Sequence, residues 1–203
     1  MWYSFFPLFI SLFLIFSFSC TKAPSELLLD SFEGLISSET VDFGSSENSS
    51  LTVSSDRGIK VCGEQSLKLD YVLNPSGYMW IARGYGLDIK GAAKWKVSPQ
   101  DIKWSKYNAF SLFMYGRNSG GIIAFDIKDS GGELWRFFFD DDTSGWKEVV
   151  CPWAEFFPRG DWQPENADQN EVLDFPIMSF QFEPRIMGKG VYYFDCIKLI
   201  RTK

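Results

Sequence analysis

The chain has 203 residues, 18% of them aromatic, and contains no histidine. The missing imidazole excludes Ser-His-Asp and Cys-His nucleophile systems, His-liganded zinc and His acid–base chemistry. A formal net charge of -6 excludes a nucleic-acid partner, which demands a basic face to displace counterions from phosphate.

In chain order, the first segment is apolar. No charged side chain precedes Lys22, and residues 2–18 are almost wholly hydrophobic. The run is longer than the roughly 7–15 residues of a secretory core and slightly short of the ~20 that span a bilayer. It ends in Ser17-Phe18-Ser19-Cys20 and passes into Thr21-Lys22-Ala23-Pro24-Ser25. A small residue directly before Cys20, followed by this polar tether, resembles the lipobox of bacterial lipoproteins. The resemblance implies a signal peptide over 1–19, lipid on Cys20, a tether over 20–26 and a domain over 27–203 held to a membrane outside the cytoplasm. An uncleaved anchor and simple secretion are the alternatives, and both also export the domain.

From residue 27 onward, short apolar segments alternate with turn clusters and no long 3.6-residue period appears. Leu27 to Phe32 is the first run. The Ser-rich stretch from Ser37 to Ser55 reads as a loop with a weak strand, because Val41, Phe43, Leu51 and Val53 alternate with polar residues. Leu67, Leu69 and Tyr71 alternate with Lys68 and Asp70, the period of a half-buried strand. Further strands are expected over 78–86, 110–115, 122–128, 134–139, 146–151, 177–182 and 191–200. Between them lie Asn74-Pro75-Ser76-Gly77, the 116–121 cluster, Asp129-Ser130-Gly131-Gly132 and Thr143-Ser144-Gly145, where Gly permits positive φ and Asn, Asp and Ser bond their own backbone. Roughly nine or ten such strands predict an all-β, antiparallel β-sandwich in one domain.

Three cysteines remain beyond Cys20: Cys62, Cys151 and Cys196. At most one disulfide can form within the chain. Cys62 with Cys196 is one pairing; three buried thiols acting as small apolar side chains are the alternative.

Between Trp104 and Phe156 the wording becomes specific. Trp104-Ser105-Lys106-Tyr107 is followed by Phe125-Asp126-Ile127-Lys128-Asp129, Leu134-Trp135, Phe139-Asp140-Asp141, Gly145-Trp146-Lys147, and Pro152-Trp153 with Phe156. Gly63-Glu64-Gln65-Ser66-Leu67-Lys68, an opening Asp30-Ser31-Phe32-Glu33-Gly34 and a closing Phe194-Asp195-Cys196-Ile197 complete the pattern. In this order the segments resemble the family 11 carbohydrate-binding modules and related galactose-binding-like jelly rolls, over about residues 27–200. The resemblance implies a non-catalytic jelly roll, a monomer, that holds a polysaccharide on one outer sheet face, a β-glucan being one option. A more distant likeness, to the complex I intermediate-associated family, implies the alternative: a protein-interaction or assembly lipoprotein on the same sandwich.

Strand parity nominates residues for that face. If Ile123, Phe125 and Ile127 face the core, Asp126 faces outward. If Phe110, Leu112 and Met114 do, Tyr115 faces outward; with Phe180 and Phe182 inside, Gln181 and Glu183 face outward. Arg136 opposes Trp135 and is placed to join Asp126. In the 77–86 segment one parity exposes Trp80 as a stacking platform, and the other exposes Arg83 and Tyr85. Trp162, in Arg159-Gly160-Asp161-Trp162-Gln163-Pro164, would form a lip of the cleft. Trp135, Phe139 and Trp146 are expected in the core. The resemblance also implies a structural calcium ion on Glu33 and Asp195, although the second carboxylate of each family pair is here Ser31 or Cys196. Asp140-Asp141-Asp142 reads as a solvated turn, and no carboxylate spacing suggests glycoside hydrolysis.

Overall fold

The structure is a computed structural model that describes Met1 and residues 26–203, so the apolar segment over 2–18 and Cys20 lie outside the described residues. Among the described residues, twelve strands form two six-stranded sheets in which every pairing is antiparallel. They are β1 (Glu26–Asp30), β2 (Asp42–Ser45), β3 (Ser50–Asp56), β4 (Ser66–Leu73), β5 (Met79–Gly84) and β6 (Ala109–Arg117). The second half comprises β7 (Ile122–Lys128), β8 (Leu134–Asp140), β9 (Ser144–Pro152), β10 (Phe157–Pro158), β11 (Ser179–Pro184) and β12 (Gly188–Ile200). The first sheet runs β3-β4-β12-β6-β9, with β1 also on β12; the second runs β10-β8-β7-β11-β5-β2. Among the described residues no helix is long and apolar enough to cross a membrane.

The alternation seen in the sequence produces the two inner faces. Phe110, Leu112 and Met114 of β6, Ile123, Phe125 and Ile127 of β7, and Phe180 and Phe182 of β11 are all buried. The sheets meet through rings: Phe182 of β11 stacks on Phe194 of β12 at 3.9 Å, and Phe110 meets Phe125 edge-on at 5.6 Å. Each such ring removes about 150–250 Å² from water, the main source of stability here.

Three readings need correction at this level. The 37–55 stretch is not a loop with one weak strand. It holds two strands, β2 on β5 and β3 on β4, so the chain changes sheets within the Ser46–Ser49 turn. Ser45 Oγ bonds the Ser49 carbonyl (3.0 Å) and Ser46 accepts at its own carbonyl from the Ser49 N–H (2.9 Å), which is why a polar, serine-rich segment turns so tightly. In the 74–77 turn the left-handed residue is Ser76 (φ 60°), not the glycine.

Trp146 is the third correction. It lies half-buried on the outer face of the first sheet, edge-on to Tyr115 at 5.5 Å, whereas Trp135 and Phe139 are in the core as expected.

Candidate functional site

Cross-strand register sets a row of residues across the outer face of the second sheet. Asp42 lies opposite Ala82, Ala82 opposite Gln181, Gln181 opposite Asp126, and Asp126 opposite Arg136. Because all five occupy paired positions, their side chains project to one face. Above this row an open cleft of about 610 Å³ is bounded by Tyr78 and Trp80 on one side and by Arg159, Asp161 and Trp162 on the other.

The parity left open in the 77–86 segment is resolved by the antiparallel pairing of β5 with β2. Tyr78, Trp80 and Ala82 line the cleft, while Met79, Ile81 and Arg83 point inward and are buried. The Trp80 indole lies over Gly44, where a Cβ would come within 2.6 Å of its Cζ2. Its Nε1 donates to Asp42 Oδ1 at 3.3 Å, and Tyr78 stacks beside it (6.2 Å, 22°). Trp162, on the loop after β10, is 57% exposed, with the Arg159 guanidinium 5.7 Å from its ring. The cleft therefore has an aromatic surface at each side.

The floor is a closed ionic network. Arg136 donates bidentately to Asp126 (2.7 and 2.8 Å) and also to Glu183 at 2.7 Å. Arg159 donates to Glu183 at 2.7 Å, to Asp161 at 2.7 Å and to Asp126 at 3.2 Å. Gln181 Nε2 donates to Glu183 at 2.6 Å, and Arg185 closes the ring with Glu183 at 3.2 Å.

Burial raises Asp126 above the ordinary carboxylate range, against the pull of Arg136. At Asp161 burial also acts upward, but the hydrogen bond from Arg159 and the charges of Arg136 and Arg159 bring it down to about 2. Within this network three carboxylates face three guanidinium groups, so its charges balance, while Asp42, Asp88 and Lys128 also line the cleft. The network is suited to hydroxyl groups of a neutral ligand, and the planar, bidentate pairs hold its donors and acceptors still.

The structure brings together Trp80, Asp126, Arg136, Gln181 and Trp162, with Asp126 and Arg136 both buried in the floor, at 0% and 4% exposure. Three nominated residues are elsewhere. Arg83 is buried between the sheets. Its Nε and Nη2 each reach Asp30 at 2.9 Å, and its guanidinium lies 5.4 Å from the Phe32 ring, so it is a core ion pair. Tyr85 packs edge-on against Trp95 at 6.2 Å, at the core margin. Tyr115 does point outward, but from the other sheet, where it meets Trp146 and Tyr193.

Sequence reasoning missed Tyr78, Asp42, Arg159 and Asp161 as cleft residues. Tyr78 shares the parity of Trp80, and Arg159 and Asp161 share the loop of Trp162, so those signals were present. Asp42, the polar residue between Val41 and Phe43, carried the same parity signal, but its stretch was read mainly as loop.

The two residues nominated for calcium, Glu33 and Asp195, both face the 61–64 loop, and each is hydrogen-bonded to its backbone. Asp195 is buried and accepts backbone N–H groups from Val61 (2.8 Å), Cys62 (2.9 Å) and Cys196 (2.8 Å). Glu33 accepts instead from the Glu64 N–H at 2.9 Å. Cys62 and Cys196 form a disulfide, with Cα atoms 5.7 Å apart, and Cys151 is a buried free thiol whose pKa burial raises.

A β-sandwich with an aromatic-flanked cleft on one outer face has the form of a carbohydrate-binding module. Residues 19–202 match the family described as carbohydrate binding domain (family 11), and the chain belongs to that family. It is 29% identical over 181 residues to Endoglucanase H of Acetivibrio thermocellus, an alignment covering 88% of this chain and 18% of that enzyme. Among solved structures, the family 11 module of the cellulase Lic26A-Cel5E of Clostridium thermocellum matches 89% of this chain and 96% of its own, at 24% identity and a TM-score of 0.67. The same family's module from Clostridium thermocellum in complex with a β-1,3-1,4-mixed-linked tetrasaccharide aligns with 87% of this chain and 96% of its own, at 24% identity and a TM-score of 0.66. The chain is thus a non-catalytic carbohydrate-binding module.

Proposed function

We propose that this module captures a β-linked glucan chain in the cleft between Trp80 and Trp162, as a monomer tethered by lipid on Cys20 outside the cytoplasm. The observation that carries the reading is the pairing of two aromatic surfaces with a rigid floor of paired charges. Sugar rings offer an apolar face for stacking and a rim of hydroxyls for hydrogen bonding, and the cleft offers both. The neighbour bound to a mixed-linked tetrasaccharide makes mixed-linked β-glucan the first ligand to test. Of the four residues whose divergence would favour an assembly role, Trp80, Asp126 and Gln181 line one cleft and Tyr85 packs at the core margin, which favours the sugar reading.

Affinity in an open cleft is modest, because ordering a flexible sugar offsets much of what a few contacts contribute. Dissociation constants between micromolar and millimolar are expected, roughly -8 to -4 kcal/mol. The Cys62–Cys196 disulfide supports export, since such bonds persist in oxidising compartments. The test is titration of the full chain with glucan oligosaccharides of β-1,3, β-1,4 and mixed linkage, beside mannan and xylan fragments. Heat of binding for a β-glucan is the expected result; no binding to any of them refutes the proposal. Labelled-palmitate incorporation that survives Cys20→Ala would refute the tether separately.

A further inference from the structure

The first strand, the last strand and the 57–65 loop meet at one junction, where the family resemblance implies calcium. The donor set there can be compared with what the ion requires. Ca²⁺ takes roughly six to eight oxygen ligands. Among the described residues, the one acid-and-cysteine trio within 4.8 Å is Cys62, Asp195 and Cys196. Its two sulfurs are bonded to each other and cannot act as thiolate ligands.

Both oxygens of Asp195 already accept from backbone N–H groups, and Glu33 is committed to Glu64. The side-chain amide of Gln65 donates to the carbonyls of Phe32 (2.8 Å) and Gly34 (2.6 Å), so a donor stands where a cation needs an acceptor. Asp30, the remaining buried carboxylate on this side, is taken up by Arg83. These residues do not fit calcium.

We propose that the Cys62–Cys196 disulfide, supported by Asp195 and Gln65, closes this junction in place of a metal ion, so that the domain's stability depends on thiol oxidation and not on calcium. The geometry serves such a link. Cys196 lies at φ 52° where the β12–β6 register skips from Asp195 to Lys198, and this bulge departs from the regular ladder in the direction of the loop carrying Cys62. Asp195, the residue before it, holds that loop by accepting from Val61 and Cys62. The bond spans 134 positions, so it removes much conformational freedom from the unfolded chain. Its formation balances by exchange with an external disulfide oxidant. Two thiols lose two protons and two electrons, the new S–S bond forms, and the oxidant is reduced to two thiols. Cys151 is fully buried and poorly ionised, so it does not compete as the attacking thiolate.

The test follows the melting temperature of the full chain in four states: oxidised, oxidised with EDTA, oxidised with added calcium chloride, and reduced with a phosphine. Peptide mass spectrometry after alkylation reports the thiol state in each. The expectation is no shift with EDTA or calcium and a fall of about 5–15 °C on reduction. A Cys62→Ser/Cys196→Ser variant should melt like the reduced protein; if it does not fold, reduction of the native chain supplies the same measurement. A chelator-induced fall of several degrees, heat of calcium binding in calorimetry, or a melting temperature indifferent to reduction overturns the proposal. None of these readouts uses a sugar, so the result is independent of the glucan proposal.

Discussion

Trp162→Ala isolates the contribution of one side of the cleft. The side chain projects from a loop and is 57% exposed, so its removal costs the fold little beyond the contact with Arg159. Surface changes of this kind stay within roughly 0.5 kcal/mol, and an exposed cation–π contact adds about 0.5–1 kcal/mol. The loss in binding follows from area. A tryptophan presents about 250 Å², the exposed share is about 140 Å², and a sugar on one face covers about half of that. At about 25 cal/mol per Å², the ~70 Å² covered corresponds to roughly 1.8 kcal/mol, or about a twentyfold weaker dissociation constant. Titration calorimetry with a mixed-linked β-glucan tetrasaccharide measures it, with thermal melting as the control for folding. Tyr115→Ala, on the opposite sheet, should leave affinity unchanged. An unaltered affinity in Trp162→Ala, or an equal loss in Tyr115→Ala, would refute the assignment of this face.

Gly44→Ala removes no ligand contact but places a methyl against the Trp80 indole, so glucan affinity should fall several-fold while the fold persists; unchanged affinity would mean that the orientation of Trp80 is unimportant. Arg83→Ala leaves Asp30 buried and unpaired and should destabilise the domain by about 3–5 kcal/mol in urea denaturation. Sugar affinity in the fraction still folded should be unaffected, which separates Arg83 from the cleft. Acidification should weaken binding as pH falls through the raised Asp126 value, while Asp161 stays ionised to about pH 2. For stability the signs oppose. The Asp126 contribution is present below its unfolded value and declines as pH rises through its folded one, whereas that of Asp161 is complete above about 3.9 and is lost as pH falls toward 2. Affinity that holds steady until the near-ultraviolet circular dichroism also collapses would refute the role given to Asp126.

Much of the cleft was legible because strand parity is a local property. Asp126 and Gln181, polar residues between apolar neighbours, had to face away from the core once Phe125, Ile127, Phe180 and Phe182 faced into it. The same logic put Tyr115 outward, and it is outward. Parity names the face of a strand, however, and a sandwich has two outer faces. Which one a strand contributes to depends on pairing with segments far away in the chain. Arg83 failed for a related reason: a charge between glycines and aromatics reads as exposed until Asp30, 53 positions earlier, supplies its buried partner.

What the sequence determined by itself was the class of architecture and the chemistry on offer. Period-two alternation and turn residues dictate strands whatever the topology, and a chain without histidine cannot use imidazole. Only the tertiary structure decided which aromatics share a face, that Arg159 and Asp161 complete the cleft, and that Cys62 meets Cys196. Those outcomes depend on register between strands distant in sequence, which the packing of the whole core selects at once.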